Sequence, residues 1–309
     1  MRLFENPTFN FLKGQKIAYG ISAVLFVASL FVIFTKGLQY GIDFRGGIEF
    51  VVSFDEAVPV NEARETLTEP LGTTPEVKRF GSPEDLLIRI DSDEPINQVS
   101  NSITGAFSQA YPDNELSVIK TDVVGPRFAE DLRNGAIQSI LFAILVIFVY
   151  ILIRFKNWIF SAGAVVALIH DVVITMGIFT FFSEVFPFNM QIDQAIIAAF
   201  LTIVGYSLND TVVVFDRVRE NSLLYKTMDY GQMVNKSLNN TLSRTVITSL
   251  TTFFVILILF LFGGEVLKGF SFALIIGIIL GTYSSLFIAS SLLVEVRSRK
   301  QKETKTAKA

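Results

Sequence analysis

Six apolar runs, each close to the roughly 20 residues a helix needs to cross a bilayer, constrain this chain more than any other feature. They fall at Ile17–Phe34, Gly135–Ile153, Ile159–Phe182, Ile192–Phe215, Val246–Phe262 and Phe270–Val294. Inside a bilayer such runs can satisfy their backbone groups only as helices, so the expected class is a polytopic α-helical membrane protein. A hydrophobic share of 51% and a mean hydropathy of +0.51 agree. The absence of cysteine and the single histidine, His170, leave no disulfide framework, no thiolate nucleophile and little for a metal site. No cofactor and no metal are therefore expected. The net charge of -3 gives no reason to expect nucleic-acid binding. The chain carries no Gly-x-Ser-x-Gly or His-Glu-x-x-His motif, and it is not expected to be an enzyme.

The first run follows Lys13 and Lys16 and lacks a small-x-small cleavage site at its end, so residues 1–36 read as an N-terminus with an uncleaved first span. Residues 37–134 differ in kind: they are polar and contain no membrane-length run. Strand patterns at Ile48–Phe54, Val77–Phe80, Leu86–Ile90 and Leu116–Val123, with helical spacing over Val60–Leu71 and Ile96–Ala110, give the order β-α-β-β-α-β. That order predicts an α+β ferredoxin-like domain. Residues 135–296 supply the other five spans and 297–309 a solvated tail. Lys and Arg concentrate before the first span, at Arg154 and Lys156, between Arg217 and Arg244, and in the tail; the loops Ser183–Gln191 and Gly263–Gly269 hold only Lys268. The positive-inside rule then puts both termini in the cytoplasm and the 37–134 domain outside. Gly46-Gly47 reads as a turn just past the first span, and Asp216–Tyr225 as an amphipathic interfacial helix joining the fourth and fifth spans.

Polar residues inside the spans are the candidate site. A carboxylate at the centre of a membrane helix costs about 2.5–3.5 kcal/mol on insertion scales, so it is read as functional unless it is structural glue. In the fourth span Thr202, Tyr206, Asn209, Asp210 and Val213 share a helical face, predicted to look into a bundle or wet cavity. In the fifth, Arg244, Thr248, Thr251 and Thr252 form a second stripe, which would let Arg244 and Asp210 face each other and pair. The third span carries His170-Asp171 on a face with Ala167 and Thr175, which fits either a proton relay or a hydrogen-bonded packing pair. Gly277, Gly281, Ser284 and Ser285 give the sixth span a small-residue face suited to close packing.

The stretches YGIDFRGGI (Tyr40–Ile48), Ile169-His170-Asp171, GYSLNDTVVVFDRVREN (Gly205–Asn221) and TLSRTVITSLTT (Thr241–Thr252) resemble the SecF family, the smaller membrane subunits of the SecD–SecF export complex within the resistance-nodulation-division superfamily. The resemblance covers about residues 1–297. It implies a bacterial cytoplasmic-membrane protein that pairs with SecD and assists the SecYEG channel and SecA, commonly alongside YajC. Its cargo would be a translocating polypeptide, its energy source the proton motive force, and its surroundings membrane lipids. Through the matching motifs it assigns Asp210 to proton conduction and Arg244 to the role of cationic partner, with Asp171 as a lesser candidate; the polar pattern of the spans themselves adds Asn209, Tyr206, Thr248 and His170 as supporting groups. Two alternatives remain: half of a small-molecule or lipid exporter of the same superfamily, or a purely structural partner of a translocation complex.

Overall fold

A computed structural model describes residues 4, 7–92, 94–183, 185, 186 and 188–306; residues 307–309 of the expected tail, and Arg2 among the N-terminal basic residues, lie outside the described residues. The chain separates into two compact units. One comprises the residues up to Gly37, Ser139–Phe181 and the residues from Ile196 onward; the other comprises Leu38–Gln138 and Phe182–Ala195.

Helix α1 (Gln15–Lys36) opens the helical unit. The chain then enters the second unit through α2, a single turn at Ile42–Arg45, and continues as β1 (Gly47–Phe54), α3 (Val60–Thr68), β2 (Glu76–Phe80), β3 (Ser82–Ile90), α4 (Ile96–Ala110) and β4 (Leu116–Val124). The sheet order is β2-β3-β1-β4, antiparallel throughout. This is the ferredoxin-like arrangement that the strand and helix patterns predicted. Period-two alternation explains it: Ile48, Phe50 and Val52 pair in register with Ile90, Ile88 and Leu86, and this face, with Phe54, packs on Ala63, Leu67, Val99, Ile103 and Phe107 of the two helices. Gly46 and Gly47 make the entry turn with φ of +83° and +111°, where only glycine is unstrained. A Cβ on Gly47 would lie 2.6 Å from the Ile90 carbonyl oxygen.

The opposite face of the sheet departs from the usual pattern of an antiparallel sheet with one wet face. Glu49, Val51, Leu87 and Arg89 are buried there. The cover comes from residues 182–195, which bury Phe188, Met190, Gln191 and Ile192 and tie back to Gln39–Gly41 through Gly41 N–H to Ile192 O (2.9 Å) and Ile192 N–H to Gln39 O (2.7 Å). Read as a short connecting loop, this segment is instead part of the second unit.

Six helices among the described residues are long and apolar enough to cross a membrane. They are α1 with the 3-10 turn before it, α5 (Pro126–Phe155), α6 (Trp158–Phe182), α7 (Gln194–Leu224), α8 (Tyr230–Phe262), and α9 (Glu265–Ser284) continuing through a π turn at Ser285–Ala289 into α10 (Ser290–Thr306). Several exceed their apolar runs. α5 starts at Pro126, inside the stretch assigned to the external domain. The separate interfacial helix expected at Asp216–Tyr225 does not form. Instead α7 runs unbroken to Leu224, because Val214, Phe215, Val218 and Asn221 continue its buried stripe. α8 likewise begins at Tyr230 rather than near Val246, with the Asp229 side chain accepting from Gln232 N–H as its N-cap and Met233, Val234, Ser237 and Leu238 buried in its first turns. Helical periodicity persists in both although the outward residues turn polar, so apolar-run length understates the helices.

α6, α7 and α9 hold most of the buried positions, while α1, α5 and α8 expose much of their apolar surface. Small residues set the closest approaches. A Cβ on Gly177 would lie 2.5 Å from the Cα of Ser29, so α6 and α1 meet backbone to backbone. Gly177→Ala is expected to destabilise the helical unit by about 1–3 kcal/mol or more through overpacking. Gly20→Ala, with nothing within 4 Å of its new methyl, should not lower the thermal unfolding temperature in detergent.

Candidate functional site: two buried carboxylates in the helical unit

Asp171 and Asp210 are both buried, at 0% and 3% exposure, and each is met by hydroxyl groups from other helices. Asp171 lies mid-way along α6. Its Oδ1 is 2.9 Å from His170 Nδ1, and its Oδ2 accepts from Ser207 Oγ of α7 (2.7 Å) and Ser284 Oγ of α9 (2.6 Å). Three helices therefore converge on one carboxylate. The small-residue face of α9 makes this possible: a Cβ on Gly281 would lie 2.9 Å from Ser207 Cβ, so any larger residue there would hold α9 away from α7. His170 is buried against Tyr283, ring centroids 6.4 Å apart, and its Nε2 has no hydrogen-bond partner among the described residues. Tyr283 in turn donates to the Ala18 carbonyl (2.8 Å) and shares a hydroxyl contact with Ser22 (3.0 Å), joining α1 to the cluster.

Asp210 sits one turn further along α7 than Ser207. Its Oδ2 accepts from Ser249 Oγ of α8 at 3.3 Å, and Thr282 Oγ1 of α9 donates to the same Ser249 oxygen at 2.7 Å. The expected ion pair with Arg244 is not formed among the described residues. Arg244 is exposed, on the side of α8 that faces away from the buried stripe of Leu242, Thr245 and Ser249. Residues one position apart on a helix are rotated by about 100°, so Ser249 points to Asp210 while Thr248 does not. The Thr248 hydroxyl bonds back to its own helix, at the Arg244 carbonyl (2.9 Å) and the Thr245 carbonyl (3.0 Å).

The polar face predicted for α7 divides. Asp210 points into the bundle. Thr202 and Asn209 are exposed, and Tyr206 is half-buried with a hydroxyl that meets no partner among the described residues. With Arg244 and Thr251 exposed on α8, the two polar stripes lie on the outside of this chain's own bundle. Nothing in the described residues groups three or more His, Cys, Asp or Glu side chains as a metal site.

A second buried polar cluster, in the sheet unit, was not anticipated. Arg89 of β3 is flanked in register by Glu49 of β1 and Glu76 of β2. Its guanidinium pairs with Glu49, reaches Glu76 at 3.3 Å and donates to the Gln191 side-chain oxygen; Gln191 Nε2 donates to Glu76 at 2.9 Å. The signal available in the sequence was a charge between apolar neighbours in each strand, Ile48-Glu49-Phe50 and Ile88-Arg89-Ile90, which alternation alone assigns to solvent.

The family described as "Protein export membrane protein SecD/SecF, C-terminal" matches residues 104–299, and the "SecD/SecF GG Motif" matches residues 31–58. The chain is 56% identical over 299 residues to the protein translocase subunit SecF of Rhodothermus marinus, covering 97% of this chain and 96% of that protein. It is 37% identical to SecF of Haemophilus influenzae, covering 96% and 88% respectively. The crystal structure of SecDF from Thermus thermophilus, a translocon-associated membrane protein, superposes with a TM-score of 0.84 at 34% identity over 95% of this chain. SecDF in a super-membrane-facing form gives 0.72 at 33% identity over 100% of this chain. The chain spans 39% and 41% of those two solved chains. By its motifs, its six spans with a ferredoxin-like domain and these matches, the chain belongs to the SecF members of the SecD/SecF protein-export family.

Proposed function

We propose that this chain is the SecF half of a SecD–SecF complex that assists polypeptide export through the SecYEG channel, driven by SecA and the proton motive force, with YajC as an accessory partner. The observation that carries the reading is the exposed intramembrane polar surface. Thr202 and Asn209 are exposed on α7, a helix long and apolar enough to cross a membrane, where polar groups facing lipid are disfavoured. A second membrane subunit would cover them, and the relatives' solved chains are more than twice as long as this one. In this reading both termini and the basic loops are cytoplasmic, since six spans return the chain to its starting side and the cations cluster there.

Asp210 then lies where proton flow and subunit packing meet. Proton uptake would weaken its acceptor role toward Ser249, and so favour a different arrangement of α7, α8 and α9. One charge moved across the membrane potential supplies about 2.3 kcal/mol per 100 mV, enough to change a two-state population many-fold. Export into inverted vesicles containing this chain and its SecD partner tests the reading. Asp210→Asn is expected to remove the dependence of export on the proton gradient, with the complex still co-purifying. Unchanged gradient dependence would leave Asp210 a packing residue and the chain a structural partner of its complex.

A further inference from the structure

A cavity of about 740 Å³ opens at the N-terminal end of α8, walled by one face of that helix, by Arg217 of α7 and by the segment Pro7–Thr8 that precedes α1. Three cations line it, Arg217, Lys236 and Arg244, with no carboxylate among the described residues that line it. Arg217 is held by Glu220 at 2.9 Å. Lys236 places its Nζ 3.8 Å above the Tyr225 ring, and neither it nor Arg244 forms an ion pair among the described residues. The wall is built rather than incidental. Asn235 and Asn239 clamp the incoming chain by accepting from Phe11 N–H (2.8 Å) and Phe9 N–H (2.9 Å), and both donate to the Phe9 carbonyl. The helix face that carries Lys236 and Arg244 continues into Ile247 at the cavity edge and then into exposed Leu250, Phe254 and Ile258.

Cations gathered at the membrane-interface end of a helix, with an apolar stripe running from them into the span, match the two parts of a phospholipid. Guanidinium groups bind phosphate oxygens in pairs, ammonium groups as point charges, and basic pockets at such a depth suit anionic headgroups. We propose that this cavity binds the phosphate of an anionic phospholipid, held by Arg217, Lys236 and Arg244, with one acyl chain lying along Ile247, Phe254 and Ile258. Free phosphate shares the headgroup chemistry but makes no use of the stripe.

The test is native mass spectrometry of the full chain co-purified with its SecD partner, after delipidation and titration with phosphatidylglycerol, phosphatidylcholine or inorganic phosphate. Phosphatidylglycerol is expected to be retained at least tenfold better than phosphatidylcholine. Arg217→Gln with Lys236→Gln should bring the two lipids level, while the charge-keeping pair Arg217→Lys with Lys236→Arg restores the preference. Lys268→Gln, outside the cavity, should change nothing. Equal retention of both lipids, or a preference indifferent to the neutralised pair, would overturn the proposal. So would displacement of lipid by millimolar phosphate, which assigns the cavity to the free ion. Retention by the lone chain that disappears on pairing with SecD would also overturn it, and would make the cavity a subunit interface. Because the readout is lipid occupancy, the result is independent of any proton role for Arg244.

Discussion

Arg89→Ala is expected to unfold the sheet unit at a markedly lower temperature, by about 3–5 kcal/mol of lost stability, the usual penalty for removing one partner of a buried ion pair. Arg89 is 6% exposed and Glu49 8%, so truncation leaves the Glu49 carboxylate in the protein interior with its neutralising charge gone. Gln191 and Glu76 lose a donor in the same step. The effect should be read by hydrogen exchange at β1 and β3 and by proteolysis of residues 182–195, which the Arg89–Gln191 contact pins to the sheet. Arg89→Met combined with Glu49→Leu should recover much of the loss, because a buried pair replaced by apolar groups of similar size is often neutral. If the single and double variants are equally unstable, the network is not what holds this face.

Acidification probes the same cluster with a definite sign. Burial works to raise the Glu76 carboxyl, but the hydrogen bond and charge of Lys78, followed by the charges of Arg89 and Arg45, outweigh it and hold the group below its ordinary value. A depressed folded-state value stabilises the fold above the unfolded value and is lost as pH falls through the folded one. The sheet unit is thus expected to weaken at acid pH, below the ordinary glutamate range, and to do so less steeply in Arg89→Ala, where one of the depressing charges is gone.

The elements of this protein differ in how far the sequence discloses them. The four strands and two helices of the sheet unit could be placed because Ile48, Phe50, Val52 and Phe54 alternate cleanly and because Val99, Ile103 and Phe107 keep helical spacing. Those are local signals. The second buried face could not be placed, because its cover arrives more than a hundred residues later in the chain, and only that contact turns Glu49 and Arg89 from surface charges into core. The carboxylates were visible as anomalies in apolar runs, but their partners were not. Thr248 and Ser249 are adjacent and both polar, so periodicity cannot say which faces α7. The choice is made by Gly277 and Gly281, which bring α9 against Ile203 and Ser207 of α7 and so leave room for Ser249 and Thr282 to meet beside Asp210. The pairing of Arg244 with Asp210 failed as an expectation for the same rotational reason: Arg244 lies on the exposed side of α8, away from the stripe that carries Ser249.

Asp171→Ala is expected to be the most damaging single substitution in the helical unit. The side chain is wholly buried and accepts from three groups on three helices. Its removal leaves His170 Nδ1 and the hydroxyls of Ser207 and Ser284 unpaired in a buried site, at about 1–3 kcal/mol for each stranded group. The sum is not strictly additive, since Ser284 can still bond back to the Gly281 carbonyl at 3.3 Å. Loss of monodisperse protein in detergent, or a large fall in its melting temperature, would register it. Asp171→Asn separates packing from proton transfer: the amide keeps one acceptor for the serines and nearly the same volume, but it cannot carry a proton as a carboxylate does. If Asn preserves folding and gradient-driven export alike, His170 and Asp171 are a packing pair that fixes α6 against α7 and α9. If Asn preserves folding but export no longer responds to the gradient, Asp171 joins Asp210 in the proton path, with the unpaired Nε2 of His170 as the position from which a proton would arrive. If Asn unfolds the chain as completely as Ala, both carboxylate oxygens are needed for the clamp, and the three helices depend on its two acceptors rather than on its shape alone.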